Sequence, residues 1–412
     1  MDASVRLSKL STDDLVALHK RYGTNHYNWC PIVPSRGDGV YIWDLEGKEY
    51  IDTNSTYSAA AFGHNQPELQ QVLREQSAKL TSISNVFLNE HAPVLEWKLC
   101  ELTGLDQAIL MNTGAEAFDT ACKIARRWAY FRKGVEPGKA EIVVANNNFH
   151  GRTINAISAS AEEKYRNGFG PFVPGFVQVP FNDIDALERA LKFETAAVII
   201  EPIQGEGGIN IPSWEYIYAV QVLCAKRNVL VVYDEVQAGF GRTGMLFAFQ
   251  HWNSQPDLIM LGKALSGGYY PVSAVVGRVE VMGVLTPGSH GSTFGGNPLG
   301  AAIALKSIEI ITRNNHMIII DAAVMGSYLL RRLRRILNGN RNVLDVRGKG
   351  LLIGIALDPS RLRAEDARTK LLGLGIVAGA ASNNVLRLSP PLTFTRAHVN
   401  EAVPRIVKAL AD

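Results

Sequence analysis

The sequence predicts an α/β fold in which a mainly parallel sheet covered by helices forms a large domain, followed by a smaller α+β domain at the C-terminus. Three observations support this prediction. The chain has 412 residues, more than one ordinary core holds. Between about residues 105 and 280, β-branched runs alternate with helical patterns, as in strands joined by crossover helices. Beyond about residue 300, long helices and short strands follow.

The candidate strands of the predicted parallel sheet include several apolar runs without polar alternation, which is typical of strands covered on both faces. They are Glu141–Ala145, Phe176–Val179, Ala196–Glu201, Val229–Asp234, Asp257–Leu261 and Val272–Val276.

Other patterns define the two ends of the chain. Near the N-terminus, Gly39–Asp44 and Lys48–Asp52 flank a turn and predict a hairpin, and a helix is expected from near Glu68. We expect an N-terminal segment (1–60) that packs with the small domain, a large domain (61–298) and a small domain (299–412). The small domain should contain helices through Ile303–Ile311 and around Ala322–Leu337 and strands at Val343–Val346, Leu352–Ala356 and Val385–Leu388.

Charge and composition limit the function. A net charge of +3 leaves no large field to attract nucleic acid or an anionic membrane. The basic run 331–335 lies on a helical pattern, so a solvated face is favoured over a nucleic-acid patch. No stretch approaches the length of a membrane span. We therefore expect neither a nucleic-acid partner nor a membrane.

Cysteine usage and the N-terminal sequence indicate the compartment. Cys30, Cys100, Cys122 and Cys224 are widely spaced and do not form a zinc pattern, so reduced structural thiols are the favoured interpretation. The first residues carry acids and no apolar run, unlike a signal or transit peptide. The expected location is the cytoplasm.

The stretch 112–117 places a turn with small residues at the start of an amphipathic helix. Backbone N–H groups at such a helix start are unpaired and can bind an anion. Ordinary capping of the helix by Asn112 or Thr113 is an equally good interpretation at this point.

An acid, Asp234, ends the apolar run that begins at Val229. Ligands of open α/β sheets bind at this end of the strands, and a buried carboxylate needs a cationic partner such as a protonated ring nitrogen. Taken alone, a structural ion pair explains the acid better.

A lysine, Lys263, follows another apolar run and stands among small residues. An enclosed lysine can lose its charge and act as a nucleophile, whereas a surface lysine would have no such role. A phosphate-binding P-loop is excluded, because Asp257 replaces its first glycine and Ala264 its Ser/Thr. No G-x-G-x-x-G follows a first strand, which also weakens dinucleotide binding. The order of helix start, acid and lysine favours a pyridoxal cofactor, whose phosphate, ring nitrogen and aldehyde would each have a partner.

The sequence resembles the fold-type I, class III aminotransferases over nearly the whole chain. The matching stretches are 112–114, 149–153, 201–208, 234–237, 261–268, 290–298 and 386–391.

The resemblance implies pyridoxal 5′-phosphate as cofactor and a role for each matching residue. Lys263 would bear the cofactor and Asp234 would pair with its ring nitrogen. The phosphate would be held by the start of the helix and by the neighbouring subunit of a homodimer with shared active sites. The other expected cofactor-binding residues are Thr113, Gly114, Ala115, Phe149, Gln237, Ser292 and Thr293.

Within the family, Tyr27 and Tyr57 resemble those of the ornithine δ-aminotransferases. The resemblance implies that Arg152 holds the α-carboxylate of ornithine and Tyr27 its α-amine. Glu206 would pair with Arg387 until glutamate or 2-oxoglutarate arrives. Proline biosynthesis and arginine metabolism are the associated pathways.

Two kinds of alternative remain open. Acetylornithine, 4-aminobutyrate and lysine ε-aminotransferases would share Lys263, Asp234 and Arg152 and differ in the amino donor. A catalytically silent cofactor-binding scaffold is an alternative of another class.

Overall fold

The structure, a computed structural model, describes residues 10–411. Residues 1–9 of the expected N-terminal segment and residue 412 of the expected small domain lie outside the described residues.

A seven-stranded sheet with the order β4-β10-β9-β8-β7-β5-β6 forms the centre of the fold. Neighbouring strands from β9 to β6 run parallel, and β10 is antiparallel to both β9 and β4. The mainly parallel sheet is therefore confirmed, and the predicted runs agree with the strands to within one residue at each end. The bounds are β4 Gln107–Met111, β5 Glu141–Ala145, β6 Phe176–Val179, β7 Thr195–Ile200, β8 Leu230–Asp234, β9 Leu258–Leu261 and β10 Ser273–Gly277.

Both faces of this sheet are buried, which explains why its strands lack polar alternation. Val143 and Val198 belong to one apolar cluster, and their chain neighbours Val144 and Ile199 belong to another on the opposite face. The helices are α1 Thr12–Tyr22, α2 Pro67–Lys79, α3 Ala92–Thr103, α4 Gly114–Trp128, α5 Ile154–Ser158, α6 Glu163–Arg166, α7 Ile184–Ala190, α8 Trp214–Arg227, α9 Val279–Met282, α10 Pro298–Leu337, α11 Ala364–Gly373 and α12 Arg396–Ala409. Helices contribute to both clusters, for example Ile217 of α8 to the first and Phe118 of α4 to the second.

Helix α10 covers both of the helices expected between residues 303 and 337. Its backbone leaves the helical conformation at residues 313–316, where Asn314, Asn315 and His316 have positive φ angles between 51° and 62°. The two expected helices therefore exist as two parts of one interrupted helix.

Two smaller four-stranded sheets complete the fold. One has the order β11-β12-β15-β14, and the other the order β1-β2-β3-β13. Strands β2 and β3 form the expected hairpin, and β13 pairs in parallel with β3, so the N-terminal and C-terminal parts of the chain share a sheet. The bounds are β1 Pro34–Asp38, β2 Tyr41–Asp44, β3 Glu49–Asp52, β11 Val343–Lys349, β12 Leu352–Leu357, β13 Ile376–Val377, β14 Gly379–Ala381 and β15 Val385–Leu388.

None of the helices found in residues 10–411 combines the length and apolarity that crossing a membrane requires.

Candidate active site

A cavity of about 170 Å³ lies beyond the carboxyl ends of the parallel strands, where open α/β sheets bind their ligands. Its walls come from the segments that follow β5, β7, β8 and β9 and from the start of α4. The lining residues are Gly114, Ala115, Phe149, His150, Gly151, Glu201, Glu206, Asp234, Val236, Gln237 and Lys263.

Lys263 is placed in the cavity wall by a strained turn after β9. Its φ of 42° lies in the left-handed region, which a residue with a side chain adopts at a cost of about 1–3 kcal/mol. Part of the side chain faces the cavity, and protein surrounds the rest. Burial lowers the pKa of the Lys263 amine to about 8 from its usual 10.5, although the nearby Glu206 carboxylate opposes the shift. About a tenth of the amine is then neutral at pH 7, far more than for an exposed lysine, and this neutral form is a nucleophile.

Asp234 lies at the end of β8 and is paired with a histidine that the sequence did not single out. His150 Nδ1 and Asp234 Oδ2 are 2.7 Å apart, and both side chains are buried. The imidazole stacks on Phe118, with ring centroids 4.7 Å apart. The other carboxylate oxygen, Oδ1, accepts a hydrogen bond from the amide of Val236 at 3.0 Å. These contacts fix the orientation of the carboxylate.

The start of α4 forms a capping box and leaves amides free for a ligand. Thr113 Oγ1 accepts from the amide of Glu116 at 3.2 Å, and the Glu116 carboxylate accepts from the amide of Thr113 at 2.8 Å. Gly114 and Ala115 are the first helical residues, so their N–H groups have no carbonyl one turn earlier. A Cβ on Gly114 would lie 2.9 Å from the Val236 side chain, so a larger residue here would force Val236 to move. Capping and anion binding are therefore compatible in one helix start.

Two further residues shape the floor of the cavity. Gln237 Oε1 is buried and has no hydrogen-bond donor within residues 10–411, while its Nε2 donates to the carbonyl of Tyr57 at 3.4 Å. Glu201 accepts from the amides of Phe149 (3.1 Å) and Gly205 (3.2 Å). Burial raises the pKa of the Glu201 carboxyl to about 7, which His150 partly offsets.

Glu206 and Arg387 form the closed ion pair that the resemblance implied, with Arg387 Nη1 2.5 Å from Glu206 Oε1. The Arg387 side chain is 0% exposed, and the Glu206 side chain retains 20% exposure. The Arg387 guanidinium carbon lies 5.2 Å from the centre of the Tyr57 ring. The charge of Arg387 is therefore paired as long as Glu206 stays in place.

The segment that carries Tyr57 has an unusual backbone. Residues 55–58 all have positive φ angles, from 39° to 81°, although none is glycine. Arg242, itself fully buried, donates to Ser55 Oγ at 3.5 Å and also to the carbonyl of Pro390. Ser55 Oγ in turn donates to the carbonyl of Ser389 at 2.5 Å. These bonds hold the strained segment against the chain that follows Arg387.

Arg152 and Tyr27 lie further out. The Arg152 guanidinium carbon is 3.7 Å from the centre of the Tyr165 ring and 5.5 Å from that of Phe149, so it lies near the cavity edge. Tyr27 is 64% exposed and packs against His26. Neither residue lines the cavity described here.

Ser292 and Thr293 also lie outside this cavity. Ser292 Oγ accepts from Asn112 Nδ2 at 3.0 Å, and Thr293 is exposed. Ser292 lines a separate cavity of about 250 Å³ together with Asn85 and Phe87. In a single chain these residues do not reach the cofactor cavity.

Comparisons with known proteins agree with this geometry. Residues 22–410 match the family model described as aminotransferase class III. The chain belongs to the class III aminotransferases. It is an aminotransferase dependent on pyridoxal phosphate.

Among its relatives, this class III aminotransferase is 42% identical to an ornithine aminotransferase of Geobacillus sp., over 97% of this chain and 99% of the relative. The solved ornithine aminotransferase of Toxoplasma gondii, described with partial occupancy of PLP at its active site, has a TM-score of 0.93 and 40% identity and covers 97% and 94% of the two chains. An acetylornithine aminotransferase of Elizabethkingia anophelis gives a TM-score of 0.87 at 37% identity, over 97% and 99%.

The residues in the cavity fit pyridoxal phosphate. The unpaired acceptor of Gln237 suits the ring hydroxyl, and the fixed carboxylate of Asp234 suits a protonated ring nitrogen. The amides of Gly114 and Ala115 suit the phosphate, and the Lys263 amine suits the aldehyde.

Proposed function

We propose that the chain acts as an ornithine δ-aminotransferase. It transfers the δ-amino group of L-ornithine to 2-oxoglutarate and yields glutamate and glutamate 5-semialdehyde, which cyclises to pyrroline-5-carboxylate. The observation that carries this proposal is the buried pair between Glu206 and Arg387, which leaves Arg152 as the guanidinium available for the carboxylate of ornithine. The relatives that bear the name ornithine aminotransferase support it.

The cofactor would be held at each of its functional groups. Lys263 would hold the aldehyde carbon, Asp234 the ring nitrogen and Gln237 the ring hydroxyl, while Phe149 packs against the ring. Bound pyridoxal phosphate supplies an electron sink that acidifies the C–H bond next to the reacting amine. Thr113, Gly114 and Ala115 would hold the phosphate, with Ser292 and Thr293 contributed by a second subunit.

The chain's own residues orient the substrate and move the proton. Arg152 binds the α-carboxylate of ornithine through its planar fork, and Tyr27 accepts a hydrogen bond from the α-amine. This orientation directs the δ-amine towards Lys263. With the cofactor bound, the Lys263 amine would remove a proton from the δ-carbon as a general base and, as a general acid, would deliver that proton to the cofactor.

The second half-reaction needs a second guanidinium. When 2-oxoglutarate arrives, Glu206 releases Arg387, which then binds the additional carboxylate. One cavity can thus accept an amine donor with one carboxylate and a keto acid with two.

A homodimer is the proposed assembly. The segment 86–97 exposes large apolar side chains, including Phe87 at 63% and Trp97 at 58%, which suits burial against a second copy. Ser292 lines the cavity next to this segment, so a second subunit packed here would receive Ser292 and Thr293 close to its own site. We place this dimer in the cytoplasm, in proline biosynthesis and arginine metabolism.

The amino donor is tested with purified, cofactor-loaded protein. Ornithine, N-acetylornithine, 4-aminobutyrate and lysine are each supplied with 2-oxoglutarate, and aldehyde formation is trapped and quantified. We expect kcat/KM to be highest for ornithine. A higher value for any other amine contradicts the proposal.

The second candidate is an acetylornithine aminotransferase, which the likeness to the Elizabethkingia enzyme favours. The same experiment decides this candidate through the N-acetylornithine rate. A scaffold without turnover would give no aldehyde with any of the four amines.

A further inference from the structure

The guanidinium of Arg387 has more donors than Glu206 can satisfy. Within residues 10–411, its only hydrogen bond runs from Nη1 to Glu206, and the buried Nε and Nη2 atoms have no acceptor. Unpaired buried donors of a charged group are expensive, so native proteins pair nearly all of them. The two donors therefore call for an acceptor on the side of Arg387 that faces away from Glu206.

A buried acceptor without a donor lies in the same region. It is Oδ1 of Asn54, for which no hydrogen bond is found within the described part of the chain. The backbone of Asn54 is fixed, because its amide donates to Asp52 Oδ1 at 2.9 Å and its carbonyl accepts from Ser389 Oγ at 3.0 Å. Asn54 is thus anchored to the residue that lies two positions after Arg387.

Gly379 marks the point where these atoms converge. In the antiparallel pair of β14 and β15, Gly379 lies directly opposite Arg387, where side chains are neighbours. A Cβ on Gly379 would lie 3.0 Å from Asn54 Oδ1 and 3.3 Å from both Nε and Nη2 of Arg387. The glycine therefore leaves a small space bounded by one acceptor and two donors.

We propose that Asn54 is a positioning residue for Arg387, and that one water in the space at Gly379 links them. The water accepts from Nε and Nη2 and donates to Asn54 Oδ1, which gives it three hydrogen bonds, a typical number for a buried water. This second attachment keeps the guanidinium in place when Glu206 releases it. Asn54 thereby determines how well the site accepts a second carboxylate, an inference that rests on the proposed role of Arg387.

The test is the binding of glutarate and pentanoate to cofactor-loaded protein, measured by calorimetry. These ligands share a five-carbon chain and differ in one carboxylate. In Asn54→Leu, an apolar replacement of similar size, we expect the Kd of glutarate to rise about tenfold and that of pentanoate to change less than twofold. A glutarate Kd within twofold of the unaltered protein, or equal losses for both ligands, overturns the proposal.

Gly379→Ala is a second variant, because its methyl group would occupy the space of the water. The φ of Gly379 lies outside the left-handed region, so alanine is compatible with its backbone. We expect the same selective loss of glutarate binding. Gly373→Ala is the matched control, since a Cβ there meets no atom within 4 Å and should leave both Kd values unchanged. An unchanged glutarate Kd in Gly379→Ala overturns the proposal even where Asn54→Leu fails to fold.

The outcome is separable from that of the proposed function. Glutarate binding does not involve an amine, so it can be measured whichever donor the enzyme prefers. If another amine is preferred to ornithine and Asn54→Leu still loses glutarate binding selectively, the proposed amino donor is wrong and the proposed role of Asn54 stands. A crystal structure that shows no ordered water between Asn54 and Arg387 contradicts the proposed role of Asn54 and leaves the proposed amino donor unaffected.

Discussion

At the scale of single residues, the proposed chemistry depends on the environments of an amine, that of Lys263, and a carboxylate, that of Asp234. The turn after β9 encloses Lys263 and lowers its pKa, while the imidazole of His150 fixes Asp234. Lys263 and Asp234 could be inferred from the sequence because each follows an apolar strand. The partnership with His150 could not, because 84 positions separate it from Asp234 and only the strand order brings them together.

The pH dependence of cofactor attachment should reflect the low pKa of Lys263. The neutral amine is the nucleophile, so the rate of attachment to apoprotein should rise with pH and level off above about pH 8, rather than above pH 10 as for an exposed lysine. Borohydride reduction and peptide mapping at each pH measure the label on Lys263. Lys263→Ala should show no label at this position and no turnover, with Lys226→Ala as the control. A label on a different residue contradicts the assignment.

Removing the charge of Glu206 should change the preference between substrates. In Glu206→Gln, Arg387 loses its ionic partner and can attract the carboxylate of ornithine to the wrong place. We expect the ratio of kcat/KM for ornithine to that for glutamate to fall at least tenfold, about 1.4 kcal/mol. Rapid kinetics of the two half-reactions measure this ratio. Glu163→Gln, an exposed control, should retain it, and an unchanged ratio in Glu206→Gln would count against the role of the pair.

At the scale of elements, local pattern was sufficient for most strands of the central sheet and insufficient for the short strands β1 and β13. The run at β5 was predicted to the residue, because every residue after Glu141 in this strand is apolar and buried. The run at β6 was also predicted to the residue, although this edge strand contains the exposed Gln178. Strand β1, with the sequence PSRGD, has no apolar signal; it pairs with β2 through backbone hydrogen bonds and through contacts of Ser35 and Arg36. Strand β13 has two residues and exists only through its long-range pairing with β3.

Helix α8 offers a test of local stabilisation. Ser213 is its N-cap, and Ser213 Oγ accepts from the amide of Tyr216 at 3.1 Å. Ser213→Ala should cost about 1 kcal/mol. In a chain of this length, that free energy should lower Tm by about 1 °C. Differential scanning calorimetry measures the shift. Ser77→Ala, within the exposed face of α2, is the control, and a drop in Ser213→Ala no larger than that of the control would show that the cap adds nothing.

At the scale of the whole molecule, we propose domain limits at 1–60, 61–298 and 299–412. Helix α10 begins at Pro298 and continues to Leu337, so it joins the part of the chain that holds the central sheet to the part that follows. The pairing of β13 with β3 supports the assignment of the N-terminal segment to the small domain. Sequence alone could suggest these limits but not the pairing, because it depends on residues more than 300 positions apart.

The proposed sharing of active sites between two subunits leads to a prediction about assembly. We expect light scattering to give the mass of two chains or a multiple of it. Thr293→Val removes a hydroxyl expected at the neighbour's phosphate and should raise the Kd of pyridoxal phosphate about tenfold without altering the mass. Thr369→Val, on the exposed face of α11, should alter neither quantity. A monomer that binds the cofactor with full affinity would refute shared sites.

Arg242 donates hydrogen bonds to Ser55, in the left-handed segment that contains Tyr57, and to the carbonyl of Pro390, shortly after Arg387. The segments that carry Tyr57 and Arg387 are therefore held by hydrogen bonds from a single buried guanidinium. We expect a substitution of Arg242 to weaken the binding of both proposed substrates, although Arg242 does not line the cavity. We therefore expect a new preference for the amino donor to arise from substitutions of residues that lie further out, such as Arg152 and Tyr27, and not from substitutions of Arg242.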